Sequence, residues 1–256
     1  MVFEIKNTEA VKHIFKEWKE TLILSCLHGI MGKIYVTNTD NPVSAMAIIG
    51  DFIFYAGKPD KELVSYKPNW CKQDFIIMVP QNEEWEKLIE ETYGQKTKPT
   101  LRYAIKKEHG IFNQEKLQYV VSKLSDCYII RMIDEKLYNM CKSEEWSLAL
   151  VSQFNNYDKY KKLGLGVVIL ENEKIVAGAS SYSRYNEGIE IEIDTKEDYR
   201  RKGLAYICGA KLILECLNRN LYPSWDAQNK WSLSLAEKLG YHFSHEYKAY
   251  EIWGYA

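Results

Sequence analysis

No Cys-x-x-Cys pair joins any of the six cysteines, Cys26, Cys71, Cys127, Cys141, Cys208 and Cys216, and the five histidines stand outside metal-ligand spacing. A metal site is therefore not expected. An excess of charge of either sign is missing too. The formal net charge of −1 gives no electrostatic reason to expect a nucleic acid or an anionic membrane as partner. There is no long apolar run and no signal peptide at the N-terminus, so a reducing cytoplasm is the expected compartment. Low-complexity tracts and residue-level repeats are lacking. So are the two common phosphate-loop patterns, G-x-G-x-x-G and G-x-x-x-x-G-K-[ST]. What remains is a chain of 256 residues, long enough for one large domain or two ordinary ones with a substantial core.

The informative stretch runs from Gly188 to Leu217. Ile189, Ile191 and Ile193 alternate with Glu190, Glu192 and Asp194, the period of a strand with two different faces. Then come Tyr199-Arg200-Arg201-Lys202-Gly203-Leu204-Ala205 and an apolar series, Ile207, Ala210, Leu214 and Leu217, spaced as on one face of a helix. A strand thus feeds a basic turn that opens a helix. The first N–H groups of a helix lack internal partners and carry the positive end of its dipole. Gly203 removes the side chain that would hold an anion away from them. The stretch is a site for a phosphate or diphosphate.

Arg200-Arg201-Lys202-Gly203-Leu204-Ala205 fits [QR]-x-x-G-x-[GA], and so resembles the pyrophosphate loop of the GNAT superfamily of acyl-CoA-dependent N-acyltransferases. Downstream, Asn229, Ser232, Leu235, Glu237-Lys238-Leu239-Gly240 and Tyr241 are similar to the second GNAT signature, N-x-x-[AS]-x-x-L-Y-x-K-x-G-[FY]. Ala236 departs from it where most members carry tyrosine. Asp194-Thr195, Pro223-Ser224-Trp225-Asp226-Ala227 and Leu235-Ala236-Glu237-Lys238 resemble the branch that includes zwittermicin A resistance acetyltransferases. The superfamily resemblance covers about the last half of the chain.

The rest of the chain reads as mixed α/β. A helix is expected from Thr8, with Val11, Ile14, Phe15, Trp18 and Leu22 on one stripe, to His28-Gly29. Strands follow over Lys33–Thr37, Ser44–Ile49 and Phe52–Ala56, the last two joined at Gly50-Asp51, a hairpin turn. Phe75–Val79 is a strand stopped by Pro80, then a helix to Gly94, a strand over Leu101–Ile105 and a helix over Asn113–Leu124. The boundary is placed at Ser125-Asp126, giving an N-terminal domain 1–126 and a GNAT domain 127–256. The first is either a decayed GNAT-like copy or an unrelated substrate cap. The second opens with a strand from Cys127 to Arg131. It continues with helices over Asp134–Lys142 and Ser143–Phe154, and a hairpin of 166–170 with 174–179 around Asn172-Glu173. The 188 strand comes next, Tyr222–Asp226 forms a further strand, and an aromatic strand starts at Tyr241.

The resemblance implies that backbone groups of Ile191, Glu192 and Ile193 meet the pantetheine arm and thioester of acetyl-CoA, the co-substrate. Its pyrophosphate would lie on Arg200, Arg201, Lys202, Gly203, Leu204 and Ala205, with Asn229 and Ser232 holding the pantetheine end. The spacer from Ile193 to Arg200 is one or two residues longer than is common in the family. Acyl transfer to an amine also needs a base. Glu190 and Glu192 share one strand face, Glu187 stands before it, and Asp226 follows Trp225; Glu190 is favoured slightly. Ser232, Tyr247 or Tyr250 would stand in for the absent acid, or a thiolate with a pKa of about 8.5 leaves unaided. The resulting expectation is an acetyl-CoA-dependent N-acetyltransferase acting by direct attack on the thioester. Its acceptor would be a small-molecule amine such as an antibiotic, and the protein a monomer or homodimer without nucleic acid or membrane partners. The alternatives are a protein or peptide N-acetyltransferase and a non-catalytic acyl-CoA-binding module.

Overall fold

Gly50, at φ +58°, turns the chain between Ser44–Ile49 and Phe52–Gly57, which pair antiparallel along their whole length. Both strands are buried on both faces, which suits strands covered from two sides. The computed structural model describes residues 1–16, 18 and 20–255. They fall into two compact units, Met1–Arg102 with Glu246–Ala256, and Tyr103–His245. In chain order the first begins with β1 (Phe3–Ile5), α1 (Thr21–Leu27), β2 (Lys33–Val36), β3 (Ser44–Ile49), β4 (Phe52–Gly57), α2 (Lys61–Val64), β5 (Phe75–Pro80), α3 (Glu83–Tyr93) and most of β6 (Thr97–Ile105). The second holds α4 (Gln114–Ser122), β7 (Ile129–Met132), α5 (Glu135–Ser143), α6 (Glu145–Leu148), α7 (Tyr157–Leu163), β8 (Gly166–Glu171), β9 (Lys174–Tyr185) and β10 (Gly188–Thr195). It continues with α8 (Leu204–Leu217), β11 (Tyr222–Ser224), β12 (Asp226–Ala227), α9 (Lys230–Leu239) and the start of β13 (Phe243–Trp253), which then returns to the first unit.

In the first unit the strand order is β1-β2-β3-β4-β5-β13-β6, with β4 and β5 parallel. The Asn82 side chain caps α3 by accepting from the N–H groups of Glu84 and Trp85, and three glutamates occupy the first turn, where the dipole favours them. That helix delivers Trp85 into the core. There its ring stacks on Tyr55 at 5.2 Å and its indole N–H donates to the Gly57 carbonyl at 2.9 Å.

The second unit has a sheet in the order β11-β10-β9-β8-β7. Asn172 and Glu173, both at positive φ, make the tight turn between β8 and β9. α8 covers one face, burying Ile189 and Ile191 against Ile207, Cys208 and Ala210. At Gly209 the packing is close: a Cβ would come within 2.8 Å of the end of the Leu239 side chain and 3.3 Å of that of Ile193, which would have to shift to admit it. The opposite face carries α5 to α7, with Tyr160 bonded to Ser180 at 2.9 Å and Leu150 over Gly178. β10 and β11 run parallel, but only from Gly188 to Glu190. Beyond Glu190, β10 pairs with β9 alone, and the β9 register slips by one residue at that point, leaving Tyr182 as the extra residue.

The fold class is the expected mixed α/β, with local differences. The segment expected as one helix from Thr8 to His28 forms a short 3-10 turn, Thr8–Val11, and then α1; Glu17 and Lys19 lie outside the described residues. The Thr8 hydroxyl donates to the Leu27 carbonyl rather than capping. Ser143–Phe154 is not one helix: Glu144 is extended, its carboxylate held by Trp146 and Lys196, and α6 is a single turn. α7, capped by Asn156, comes after it, in a stretch for which no element is expected. Tyr222–Asp226 is two short strands, because β11 follows β10 while β12 pairs with β6 and buried Trp225 lies between them. The compact units divide at Arg102 and again at His245, so β6 and β13 each carry residues of both.

Candidate active site

The turn between β10 and α8 is built from unusual backbone. A 3-10 turn, Glu197–Tyr199, takes up the long spacer, Arg201 lies at φ +60°, and Gly203 caps α8 at φ +81°. No side chain caps this helix start, so its first N–H groups face outward without helical partners. A Cβ added at Gly203 would meet nothing within 4 Å; it would project into the space where an anion would lie. Arg200, Arg201, Gly203, Leu204 and Ala205 line a cleft of about 460 Å³ together with Thr195, Tyr199, Tyr206, Trp231, Leu235 and Lys238.

Thr195 ends β10 beneath this turn. Its N–H donates to Asp194 Oδ1 at 2.6 Å and its carbonyl accepts from Arg200 Nε at 3.3 Å. Its hydroxyl is buried and has no hydrogen-bond partner. A buried hydroxyl left in this state is costly, and one in a cleft-lining residue suits an acceptor-bearing ligand. Burial pushes the neighbouring Asp194 carboxyl above its usual range, opposed by its bond to Thr195 and by the Arg200 charge.

The remaining expected residues are distributed around this cleft rather than gathered in it. Ile191 and Ile193 pack toward α8, while Glu190 and Glu192 occupy the opposite face of β10, Glu190 buried and Glu192 half-buried. The strand edge at Ile191–Ile193 faces the place where β11 no longer pairs. Lys202 lines a different cleft, described below, and its ammonium lies 4.4 Å from the Tyr199 ring centre. Asn229 caps α9, its Oδ1 accepting from Ser232 N–H at 2.9 Å, and Ser232 Oγ accepts from the Trp225 indole at 3.0 Å. Asp226 is half-buried on β12, and Glu187 is exposed before β10.

Around Glu190 the structure assembles groups that no motif marked. Ser183 and Ser224 are its register partners on β9 and β11, and the Tyr185 hydroxyl bonds Ser224 at 2.8 Å. The Lys107 ammonium sits 4.3 Å from the Tyr185 ring centre and 5.7 Å from that of Tyr222. Burial lowers the Lys107 pKa, with Glu187 and Glu190 opposing the shift. Burial also raises that of Tyr185. Of the expected stand-ins for an acid, Tyr250 is fully buried and donates to Glu90, Tyr247 accepts from Arg102, and Ser232 accepts from the Trp225 indole; Ala236, which they would replace, is buried in the core. Lys107 had no signal in the sequence. Thr195 had one: it is the polar residue that continues the isoleucine face.

A strand ends in a cation-rich turn at an uncapped helix, beside a sheet whose strands part, in a mixed α/β fold. The profile of the family described as GNAT acetyltransferase matches residues 12–250. The chain belongs to that family. The GCN5-related N-acetyltransferase-like protein of Streptococcus suis 89/1591 is 46% identical, with a TM-score of 0.90 over 96% of this chain and 98% of that one. The uncharacterized N-acetyltransferase YdfB of Bacillus subtilis (strain 168) is 30% identical over 125 residues; the match spans 48% of this chain and 47%, about half, of that relative. A tandem GNAT protein from the clavulanic acid biosynthesis pathway aligns over 99% of this chain and 98% of its own, with a TM-score of 0.58 at 7% identity. At that identity the likeness speaks for the fold alone.

Proposed function

We propose that the protein is an acetyl-CoA-dependent N-acetyltransferase whose acceptor is the amine of a small molecule. The observation that carries the reading is the cleft at the start of α8, where open space at Gly203 adjoins outward N–H groups and the unpartnered Thr195 hydroxyl. Acetyl-CoA, when bound, supplies an acetyl thioester. Backbone N–H groups of Arg201, Lys202, Gly203, Leu204 and Ala205 hold its diphosphate, and the cations of the turn balance the charge. The free edge of β10 at Ile191, Glu192 and Ile193 takes the pantetheine arm, with Asn229 and Ser232 on the other side. Glu190 takes the proton that an alkylamine of pKa about 10.4 must lose before it can react; Glu192 and Asp226 are the reserve candidates. The fainter likeness to the zwittermicin A resistance branch supports an amino-bearing antibiotic as acceptor. The first unit, with its own sheet and helices, is read as a decayed GNAT-like copy.

Ala236, buried where most of the family has tyrosine, supports a second reading, a module that binds acyl-CoA without turning it over. Thiol release from acetyl-CoA, measured with a panel of small amines, amino-bearing antibiotics and peptides, decides between them. Release that depends on a small amine supports the enzyme. Release only with peptides moves the acceptor class, and tight cofactor binding with no release under any condition supports the non-catalytic binding module.

A further inference from the structure

Gly203 and Tyr206 border not one cleft but two. The second, of about 530 Å³, is lined by Lys116, Tyr119, Val120 and Lys123 of α4 and its end, and by Lys202, Gly203, Tyr206 and Ile207 from the start of α8. Its floor is apolar, with Val120 and Ile207 buried in the core, and Tyr119 is 61% exposed at its rim. Three lysines surround it, and none is paired with a carboxylate among the described residues. The Lys116 ammonium donates to the Lys238 carbonyl, and those of Lys123 and Lys202 lie over the rings of Tyr119 and Tyr199. Three unneutralised cations around an apolar, aromatic floor suit a flat base that carries a phosphate.

The two clefts share the residue at which a diphosphate would sit, and they lead different ways. The first adjoins Thr195 at the end of β10 and so leads toward the strand edge. The second runs along α4, which precedes the motif-bearing part of the chain. A cofactor held by its diphosphate at Gly203 has two arms to place. We infer that the cleft between α4 and α8 takes the 3′-phosphoadenosine arm of CoA, with Lys116, Lys123 and Lys202 on the 3′-phosphate and Tyr119 or Tyr206 against the adenine. This rests on the acetyl-CoA reading and extends it to a subsite outside both motifs.

The test is calorimetry of the full chain with CoA and with 3′-dephospho-CoA. CoA should bind about tenfold more tightly, the weight of one charge-assisted hydrogen bond. The double variant Lys116→Gln/Lys123→Gln, which keeps Lys202, should lower the ratio while leaving 3′-dephospho-CoA affinity near that of the parent. Equal binding of the two ligands by the parent overturns the subsite and leaves the acetyl-CoA reading standing. A ratio kept by the double variant but lost in Trp231→Ala places the adenosine in the first cleft and also overturns it. Failure of the parent to bind either ligand removes the acetyl-CoA reading itself, and the subsite with it.

Discussion

Replacing Thr195 by valine should move stability and affinity in opposite directions. The hydroxyl is buried, without a partner, in a residue 8% exposed. Its backbone is fixed on both sides by Asp194 and Arg200, so it has little freedom to find another bond. Leaving such a group unsatisfied costs about 1–3 kcal/mol, and valine has nearly the same shape without it. The free protein should therefore gain stability, with Tm rising by about 2–4 °C per kcal/mol for a chain of this size. In the proposed complex the same hydroxyl would donate to an anionic or carbonyl oxygen, a bond of about 1.5–3 kcal/mol when the acceptor is charged. Its loss should weaken CoA about tenfold or more. Scanning calorimetry without ligand reads the first effect and titration with CoA the second, with Thr195→Ser restoring parent-like values for both. A valine variant that is less stable and binds CoA as tightly as the parent would make Thr195 an ordinary packing residue and refute the reasoning.

Gly203→Val adds a side chain at φ +81°, a strain of about 1–2 kcal/mol, and fills the cradle; calorimetry should show CoA binding lost in a protein that denaturant titration finds folded, and unchanged binding would refute the loop assignment. Glu190→Gln should lower kcat/KM by roughly 10²–10⁴ with CoA affinity held. Full activity across the pH range in both Glu190→Gln and Glu192→Gln would move the base to Asp226, Glu187 or a water chain. Asp194→Asn should stabilise the fold at neutral pH, because a carboxyl whose folded pKa is raised by burial opposes folding while ionised. That gain should shrink as pH falls through the folded value and vanish below the unfolded one, about 3.9. An equal gain in Tm at pH 7 and pH 3 would contradict it.

The basic turn that opens α8 was legible because its pattern is local: cations, a glycine and a helix start lie within six residues. The strand faces were legible for the same reason, as alternation alone separates Glu190 and Glu192 from the isoleucines. Ala236 could be named in advance as a missing tyrosine, but not as a core residue against α8. Local pattern failed where a short acidic segment had two uses. Glu144 reads as a first-turn helix residue, yet its partners Trp146 and Lys196 hold it extended. Tyr222 to Asp226 reads as one strand, since nothing in five residues says that their pairing partners change after Ser224. Lys107 beside Tyr185 and Tyr222 depends on the loop after β6 returning to the end of β9 and the start of β11. No window of sequence contains that.

The place of β13 in the first sheet bears on how the protein is made. Glu246 to Trp253 supply the strand that lies between β5 and β6. A chain leaving the ribosome exposes residues 1–102 with that slot open, and the slot stays open while the whole of Tyr103–His245 is translated. At about 5–20 residues per second the wait is roughly seven to thirty seconds. Throughout it, β5 offers the unpaired edge of a strand whose Ile76, Met78 and Val79 are fully buried in the finished protein, a template for adhesion to other nascent chains. The first unit, although made first, is completed last.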